Sequence, residues 1–151
     1  MDNGKNSGFH TLRGYNRMEH SDISFAMEDY LEMICRHTLE GEIIRVNRLA
    51  SLLHVTPPSA SKMVMKLKES GLVSFEPYGI ITLTQAGEAL GGYLLYRHDI
   101  LHRFFMMLNR SEDELELVEK IEHYMDRRTI ENMEKLLRSK SGGGNIMNAD
   151  R

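Results

Sequence analysis

Apolar residues recur at helical spacing in the first segment with a sustained pattern. Met27, Leu31, Ile34 and Cys35 lie at positions i, i+4, i+7 and i+8, which places them on one face of a helix. Ser24 precedes this stripe and can accept a hydrogen bond from one of the free N–H groups at the helix start. The pattern predicts an amphipathic first helix in which Cys35 is a small buried hydrophobic side chain.

Two shorter helical segments follow, joined by a tight connection at residues 54–56. Asn47 is the candidate cap of the first. Thr56 is the candidate cap of the second, with Pro57 at the first helical position, where a missing N–H has no cost. Gly71 can end this third helix in a left-handed conformation. Two short helices joined by such a turn are typical of a helix-turn-helix unit.

A small β-hairpin is predicted directly after the third helix. The apolar and β-branched segments 72–75 and 80–84 flank the turn-forming stretch Glu76-Pro77-Tyr78-Gly79. A hairpin in this position indicates a winged helix-turn-helix, which is a DNA-reading unit.

Three more helices are predicted after the hairpin. A long one covers about 85–108, a short one starts at Ser111 with the capping-box spacing to Glu114, and a last one covers about 127–137. Gly91-Gly92 in the long helix predicts close packing of a neighbouring helix. The fold class is therefore mainly α, with an N-terminal winged helix-turn-helix, its small β-hairpin and a C-terminal helical region.

Composition and charge narrow the possible functions. The chain has 151 residues, a formal net charge of -3 and a single cysteine, which excludes an internal disulfide and fits a reducing compartment. No apolar run approaches the length of a membrane span, and the N-terminus lacks a signal-peptide pattern. We therefore expect a cytoplasmic protein without a membrane partner. Because the net charge is negative, any nucleic-acid surface must be local.

The third predicted helix carries such a local positive face. Ser59, Lys62 and Lys66 lie opposite its apolar stripe, and Ser61 adds a second small hydroxyl near the helix start. Small hydroxyls allow close approach to the floor of a DNA groove, and lysines one turn apart can contact phosphates or guanine edges. A solvated helix face would explain the lysines alone. The helix-turn-helix order and the hairpin favour DNA binding.

Acidic residues and histidines recur at spacings that would bring their side chains together. The candidates are Asp29 and Glu32 at i and i+3 of the first helix, His98 on the long helix, and Glu119, Glu122 and His123 on one face of the fifth. So many carboxylates would repel one another, and a divalent cation removes that cost. Oxygen-rich ligands with some imidazole favour Mn²⁺ or Fe²⁺ over soft metals. The alternative is a solvated acidic face, with a surface ion pair to Arg36.

These residues carry a resemblance to a known family. The chain resembles the diphtheria-toxin-repressor superfamily, specifically its short manganese transport regulator branch, over about residues 23–138. The stretches that match are Met27 to Glu32, Val55 to Leu67, Leu83 to Gly87, Tyr96 to His98, and Glu119 to His123.

The resemblance implies a homodimer that binds a double-stranded DNA operator and holds a binuclear metal site. Carried over position by position, the implied ligands are Asp29, Glu32, His98, Glu119, Glu122 and His123. The iron-responsive branch typically has Met and Cys where this chain has Asp29 and Glu119, so the resemblance implies Mn²⁺, with Fe²⁺ possible.

The implied division of the chain has four parts: a flexible N-terminal arm at 1–21, a winged-helix DNA-binding domain at 22–92, a helical metal-binding and dimerisation domain at 93–138, and a disordered tail at 139–151.

The chain departs from the family pattern at two further places. The hairpin tip contains neither Lys nor Arg, where relatives commonly have a basic residue, so a phosphate contact by the wing is in question. His102 lies one turn after His98, so His102 and Glu116 are candidates for an ancillary metal ion.

We therefore expect a manganese-responsive, DNA-binding transcriptional regulator that represses manganese uptake genes and is not an enzyme. An iron-dependent repressor of the same family is the first alternative. A binuclear manganese hydrolase is a second, but it needs an open metal position, and the sequence contains no nucleophile motif. A third is a metal-independent winged-helix regulator with an acidic dimer interface.

Overall fold

The helices and strands follow the predicted order in a computed structural model that describes residues 22–142. The predicted arm at 1–21 lies outside the described residues, as does the predicted tail at 139–151 from residue 143 onward. Residues 139–141 of that tail are helical, contrary to the predicted disorder. The described elements are α1 (Phe25–Leu39), α2 (Val46–Leu52), α3 (Pro57–Glu69), β1 (Val73–Ser74), β2 (Thr82–Leu83), α4 (Gln85–Asn109), α5 (Leu115–Ile121), a 3-10 turn (Glu122–Tyr124) and α6 (Arg127–Ser141). The mainly α class with a winged helix-turn-helix is confirmed.

Local capping chemistry sets most of the helix ends. The Ser24 Oγ accepts a hydrogen bond from the Met27 N–H at 3.2 Å, and the Thr56 Oγ1 accepts one from the Ser59 N–H at 3.4 Å, as predicted. After α3, Gly71 has a φ of +73°, which is the left-handed conformation expected of a helix-ending glycine.

The start of α2 differs from the prediction. Asn47 does not cap it, because the helix begins at Val46 and Arg45 occupies the N-cap position without a side-chain capping bond. The cause lies one residue earlier, where Ile44 forms an isolated antiparallel bridge with Ile81. This bridge brings the chain into α2 from an extended conformation, which leaves Arg45 with a φ of -121° and a ψ of 163°.

The hairpin is shorter than the sequence pattern predicts. Val73 pairs with Leu83 and Ser74 pairs with Thr82, and the strands end there. Ile81 does not continue the ladder, because its N–H donates to the Ile44 carbonyl at 2.8 Å. The wing is therefore tied to the segment that leads into α2.

Two hydrophobic clusters share α4. The first joins α1, α2, α3 and the wing and extends to Leu94, whereas the second joins Ile100 and Leu101 to Val118 of α5 and Ile130 of α6. The division predicted after residue 92 falls within α4, which takes part in both clusters. The helix segment between Leu94 and Ile100 is thus the boundary at which the two clusters meet. None of the helices in the described part of the chain combines the length and apolar character needed to cross a bilayer.

The region around α5 corrects the predicted capping box. The helix begins at Leu115, because the Asp113 Oδ1 accepts the Leu115 N–H at 3.0 Å, while the Ser111 hydroxyl donates to the Glu114 carboxylate at 2.5 Å. The α-helix also ends at Ile121, so Glu122 and His123 belong to the 3-10 turn and not to the same α-helix as Glu119.

The last helix also ends later than predicted. It continues to Ser141, past the expected end at about residue 137.

Gly91 and Gly92 make a matched pair for testing the packing of α1 on α4. A Cβ atom at Gly91 would lie 2.9 Å from the Cys35 Cβ and 3.0 Å from its Sγ, whereas nothing lies within 4 Å at Gly92. We predict that Gly91→Ala lowers the free energy of unfolding by about 1–3 kcal/mol through overpacking. Gly92→Ala should raise it by about 0.5–1 kcal/mol through helix propensity. Urea unfolding measures both, and equal shifts would contradict the close approach of α1 and α4.

Candidate metal centre and nucleic-acid interface

The six predicted ligands meet at the boundary between the two hydrophobic clusters. Two overlapping groups form there, Glu32 with His98 and Glu122, and Asp29 with Glu122 and His123, and in each group the candidate ligand atoms lie within 4.8 Å of one another. The sixth residue, Glu119, places its Oε1 3.9 Å from the His98 Nδ1. It also lines a cavity of about 380 Å³ together with Asp29, Glu32 and His98. The α1 helix, α4, α5 and the 3-10 turn all contribute to this centre.

Glu122 is the centre of this arrangement. It is fully buried, with an exposed fraction of 0%, and it is the one residue shared by both groups. Its Oε2 lies 3.0 Å from the His98 Nδ1, but its Oε1 is buried without a hydrogen-bond partner among the described residues. A buried carboxylate oxygen without a donor is costly. A divalent cation would supply the missing partner, so the residues present fit a metal ion.

The electrostatics around His98 favour added positive charge. Burial, and then the charge of Glu122, raises the pKa of Glu32 to about 7. The same two causes raise the pKa of Glu119. The hydrogen bond with Glu122 raises the pKa of His98 despite its burial. Burial and neighbouring carboxylates thus both disfavour the ionised form of Glu32 and Glu119, and added positive charge would offset that effect.

His123 lies between two carboxylates. Its Nε2 is 2.8 Å from the Asp29 Oδ1, its Nδ1 is 2.6 Å from the Glu28 Oε2, and the Phe25 ring stacks on it at 4.9 Å. Burial opposes the charged imidazole, but the hydrogen bonds to Asp29 and Glu28 outweigh it and raise the pKa of His123 to about 9. A metal ion at Nε2 would replace the proton that Nε2 carries in the charged imidazole. Nδ1–H would still donate to Glu28, as the second N–H of metal-bound histidines commonly does to a carboxylate.

Glu28 and Arg97 were not predicted from the sequence, and both contact His123. Arg97 is 3% exposed, and its guanidinium donates to the Glu28 Oε2 at 2.9 Å and lies 3.4 Å from the His123 Nδ1. Its position three residues after Leu94 and four before Leu101 was the available signal, because a charged residue within an apolar stripe needs a buried partner. For Glu28, which is adjacent to Asp29, no spacing signal existed.

The ancillary candidates have other partners, although the His102 ring stacks on the His98 ring with the centroids 6.5 Å apart. The His102 Nε2 pairs with the Asp113 Oδ1 at 3.1 Å, and the exposed Glu116 pairs with Lys120. Within residues 22–142, no group of three possible ligands includes His102 or Glu116.

A third group of possible ligands lies at the end of α1 and was not predicted. It contains His37, Glu40 and Glu42, but the Arg48 Nε already lies 2.5 Å from the Glu42 carboxylate. The Arg48 guanidinium therefore already balances negative charge in this group.

The predicted DNA-facing residues lie on α3 as expected. Ser59, Lys62 and Lys66 are exposed and Ser61 is half-buried, while Ala60, Val64 and Leu67 on the opposite side are buried. In the described part of the chain, neither Lys62 nor Lys66 has a carboxylate within ion-pair distance, so both charges face outward. Lys68 differs, because its Nζ donates to the Phe75 carbonyl at 2.8 Å and lies 3.4 Å from the Glu76 carboxylate.

Two family models match the chain in succession. The model described as iron dependent repressor, N-terminal DNA binding domain, covers residues 22–81. The model described as iron dependent repressor, metal binding and dimerisation domain, covers residues 84–141.

Similar curated proteins are bacterial regulators. The HTH-type transcriptional regulator MntR of Lysinibacillus sphaericus (strain C3-41) is 36% identical over 74% of this chain and 81% of its own length. The MntR of Bacillus subtilis (strain 168) is 34% identical over 74% of this chain and 80% of its own length.

Similar solved structures include two manganese-related regulators. The manganese regulator SloR has a TM-score of 0.65 and 30% identity, over 74% of this chain and 53% of that one. A manganese-dependent transcriptional repressor solved with manganese has a TM-score of 0.64 and 26% identity, over 74% of this chain and 52% of that one. The chain thus spans about half the length of these two structural relatives.

The buried Arg97–Glu28 pair gives a testable consequence for stability. We predict that Arg97→Met lowers the free energy of unfolding of the metal-free protein, toward the low end of about 3–5 kcal/mol, because Glu28 keeps only His123 as its partner. Adding Glu28→Gln should recover part of the loss. The control is Arg103→Met on the same helix, whose exposed pair with Asp99 should contribute less than about 1 kcal/mol. Urea unfolding in the presence of a chelator measures the free energy of unfolding of all three variants. A loss in Arg103→Met as large as that in Arg97→Met would contradict a stabilising role of the Arg97–Glu28 pair.

Proposed function

The chain belongs to the iron dependent repressor family, and on that premise we propose that it is a manganese-responsive, DNA-binding transcriptional regulator that acts as a homodimer. The observation that carries the proposal is the meeting of six ligand-type side chains at the boundary of two hydrophobic clusters, next to a winged helix-turn-helix. The relatives from Lysinibacillus sphaericus and Bacillus subtilis, named MntR, support it.

We propose that the ligands are Asp29, Glu32, His98, Glu119, Glu122 and His123, and that they hold two ions. The support for two ions is that the ligand residues form two groups, with Glu122 common to both.

Four carboxylates and two imidazoles without a thiolate or thioether suit Mn²⁺. Fe²⁺ accepts similar ligands, and an iron-dependent repressor is therefore the alternative that a comparison of the two metals must exclude. When bound, the ions supply positive charge that links the carboxylates.

The regulatory mechanism follows from the position of this centre. Asp29 and Glu32 belong to α1, which packs in the winged-helix cluster, whereas Glu119 belongs to α5, which packs in the C-terminal cluster. Without metal, the carboxylates repel one another across this boundary. With a cation held between them, the α1 carboxylates and Glu119 would be joined, which would limit how the winged helices are oriented in the dimer. DNA half-sites demand a fixed spacing of recognition helices, so the metal-bound state binds DNA better. A coupling of about 1–3 kcal/mol changes the affinity roughly 5- to 150-fold.

We infer that α3 is the recognition helix, with Ser59 and Ser61 near the groove floor and Lys62 and Lys66 on bases or phosphates. A regulator that binds its operator when Mn²⁺ is abundant would restore metal balance by repressing uptake genes. Because its partner is chromosomal DNA, we also infer that it acts in the cytoplasm and has a regulatory and not a catalytic role.

Glu119 and Glu116 of α5 provide a matched test of the ligand assignment. We predict that Glu119→Ala and His123→Ala abolish the gain in DNA affinity on adding Mn²⁺, because each removes a ligand. Glu116→Ala should keep the gain, because that carboxylate pairs with Lys120 outside the centre. Fluorescence anisotropy on promoter DNA, with Mn²⁺ and Fe²⁺ compared, and calorimetry of metal binding provide the measurements. A double Glu119/His123 variant that responds to Mn²⁺ like the parent would refute the assignment.

The two outward lysines of α3 test the DNA interface. Lys66→Ala should weaken binding to all sequences and lower the slope of log affinity against log salt by about 0.9, if it neutralises one phosphate. Lys62→Ala, nearer the helix start, should change sequence preference. Metal affinity should survive both, because the lysines lie on a different element from the ligands. An unchanged salt slope and DNA affinity in the double variant would remove α3 from the interface.

A further inference from the structure

The tip of the wing displays an aromatic residue in an unusual conformation. The Gly79 N–H donates to the Glu76 carbonyl at 2.8 Å, which closes the turn, and Tyr78 within it has a φ of +62°. An aromatic residue is disfavoured at positive φ, where Gly or Asn is the usual choice. Tyr78 is also 99% exposed, so no packing against the described residues offsets that conformational cost.

Arg45 supplies the positive charge that the hairpin tip lacks. Its Nη1 donates to the Tyr78 carbonyl at 3.1 Å, across a long separation in sequence. Among the residues that the structure describes, no carboxylate lies within ion-pair distance of Arg45. The guanidinium therefore keeps its net charge and its remaining N–H donors for an outside partner.

Two neighbouring contacts favour a net positive charge next to the hairpin tip. The residue before Arg45, Ile44, accepts the Ile81 N–H at 2.8 Å, which fixes the segment against the wing. The one acidic residue of the tip, Glu76, has Lys68 at 3.4 Å as its counter-charge. The tip is therefore positive overall, although its own sequence contains no basic residue.

A groove of about 410 Å³ connects this tip to the recognition helix. Its lining includes Pro58 and Ser61 of α3 on one side, Pro77 and Tyr78 of the wing on the other, and Arg45. Ser61 belongs to the proposed DNA-facing surface, so the groove continues that surface toward the wing.

Resting on the proposed function, we propose that Arg45 and Tyr78 form the contact of the wing with the sugar–phosphate backbone of B-form DNA. The guanidinium binds a phosphate, for which its planar fork of N–H donors is suited. The exposed phenol donates a hydrogen bond to a phosphate or sugar oxygen next to it. The positive charge belongs to Arg45 at the N-cap position of α2. The hydrogen bond from Arg45 to the Tyr78 carbonyl keeps the guanidinium and the phenol at a fixed spacing.

The charge of Arg45 can be tested by salt dependence on any duplex, because phosphate contacts are independent of sequence. The Mn²⁺-loaded full chain is titrated with a mixed-sequence B-form duplex at several salt concentrations. Arg45→Ala should lower the salt slope by about 0.9, the value for one phosphate, whereas Arg45→Lys should retain it. The matched control is Arg48→Ala on α2, which removes the same charge from a residue already paired with Glu42 and should leave the slope unchanged.

Tyr78→Asn tests the second group without disturbing the turn, because Asn tolerates positive φ. Affinity should fall roughly two- to tenfold, the effect of one hydrogen bond, with the salt slope unchanged because no charge is lost. The thermal unfolding midpoint of Tyr78→Asn should equal or exceed that of the parent, since the Tyr78 side chain is exposed and Asn tolerates positive φ.

The outcomes separate this proposal from the proposed function. A parental salt slope in Arg45→Ala, together with a lowered slope in Lys66→Ala, would overturn the wing contact alone. Absence of a Mn²⁺-dependent gain in the parent would overturn the proposed function, while the slopes at low salt would still decide the wing contact. A shift of oligomeric state in Arg45→Ala by sedimentation, with an unchanged slope, would assign the groove to a protein interface and overturn the proposal.

Discussion

The arrangement of the metal centre depends on one fully buried carboxylate, Glu122, which lacks a hydrogen-bond partner on one oxygen in the described part of the chain. Glu122 has no exposed surface, and one of its oxygens has no hydrogen-bond donor among the described residues. Glu32 belongs to the same ligand group, so two carboxylates lie close together where solvent screens them poorly. The 3-10 turn that holds Glu122 lies between α5 and α6 of the C-terminal cluster, whereas Glu32 belongs to α1 of the winged-helix cluster. Any cation held by both residues would therefore act on the packing between the two clusters.

The two sides of the metal centre differ in how their carboxylate charges are balanced. On the His98 side, carboxylates face one another, and the pKa of Glu32 is raised to about 7 by burial and by the Glu122 charge. On the His123 side, Arg97 and the imidazole balance Glu28, whose pKa is lowered by those hydrogen bonds despite burial. The His123 side can thus remain ordered without metal. The His98 side has the His98 imidazole 3.0 Å from Glu122 and the exposed Arg36 3.2 Å from Glu32, but no arginine of the described residues is buried there. That difference makes the shared Glu122 the residue through which metal would couple to structure.

The long helix α4 brings the metal centre and the winged helix into one framework. Its first turns pack against the wing, its middle supplies Arg97 and His98, and its last turns pack against α5 and α6. The formal net charge of the chain is -3. Acidic side chains converge at the boundary of the two clusters, while outward lysines and Arg45 lie on the winged helix. A polyanion such as DNA therefore meets positive charge locally, although the chain as a whole is acidic.

The sequence by itself determined the order and type of most elements, because helix periodicity and capping are local properties. Ser24, Thr56 and Gly71 act where their chemistry predicts, and the six ligand-type residues were recognisable from their types, spacings and family resemblance. The start of α2 was not predictable, since the bridge between Ile44 and Ile81 joins distant segments and overrides the capping preference of Asn47. The change from α-helix to 3-10 turn at Glu122 was also not predicted, because the spacing of Glu119, Glu122 and His123 fits a continuous helix.

Only the tertiary structure placed Arg97 against Glu28 and Arg45 against the tip of the wing, because both pairings cross the fold between residues far apart in the chain. Local patterns identify which residues can carry charge. Which charge ends beside which partner depends on how the helices pack, and packing is a property of the whole chain.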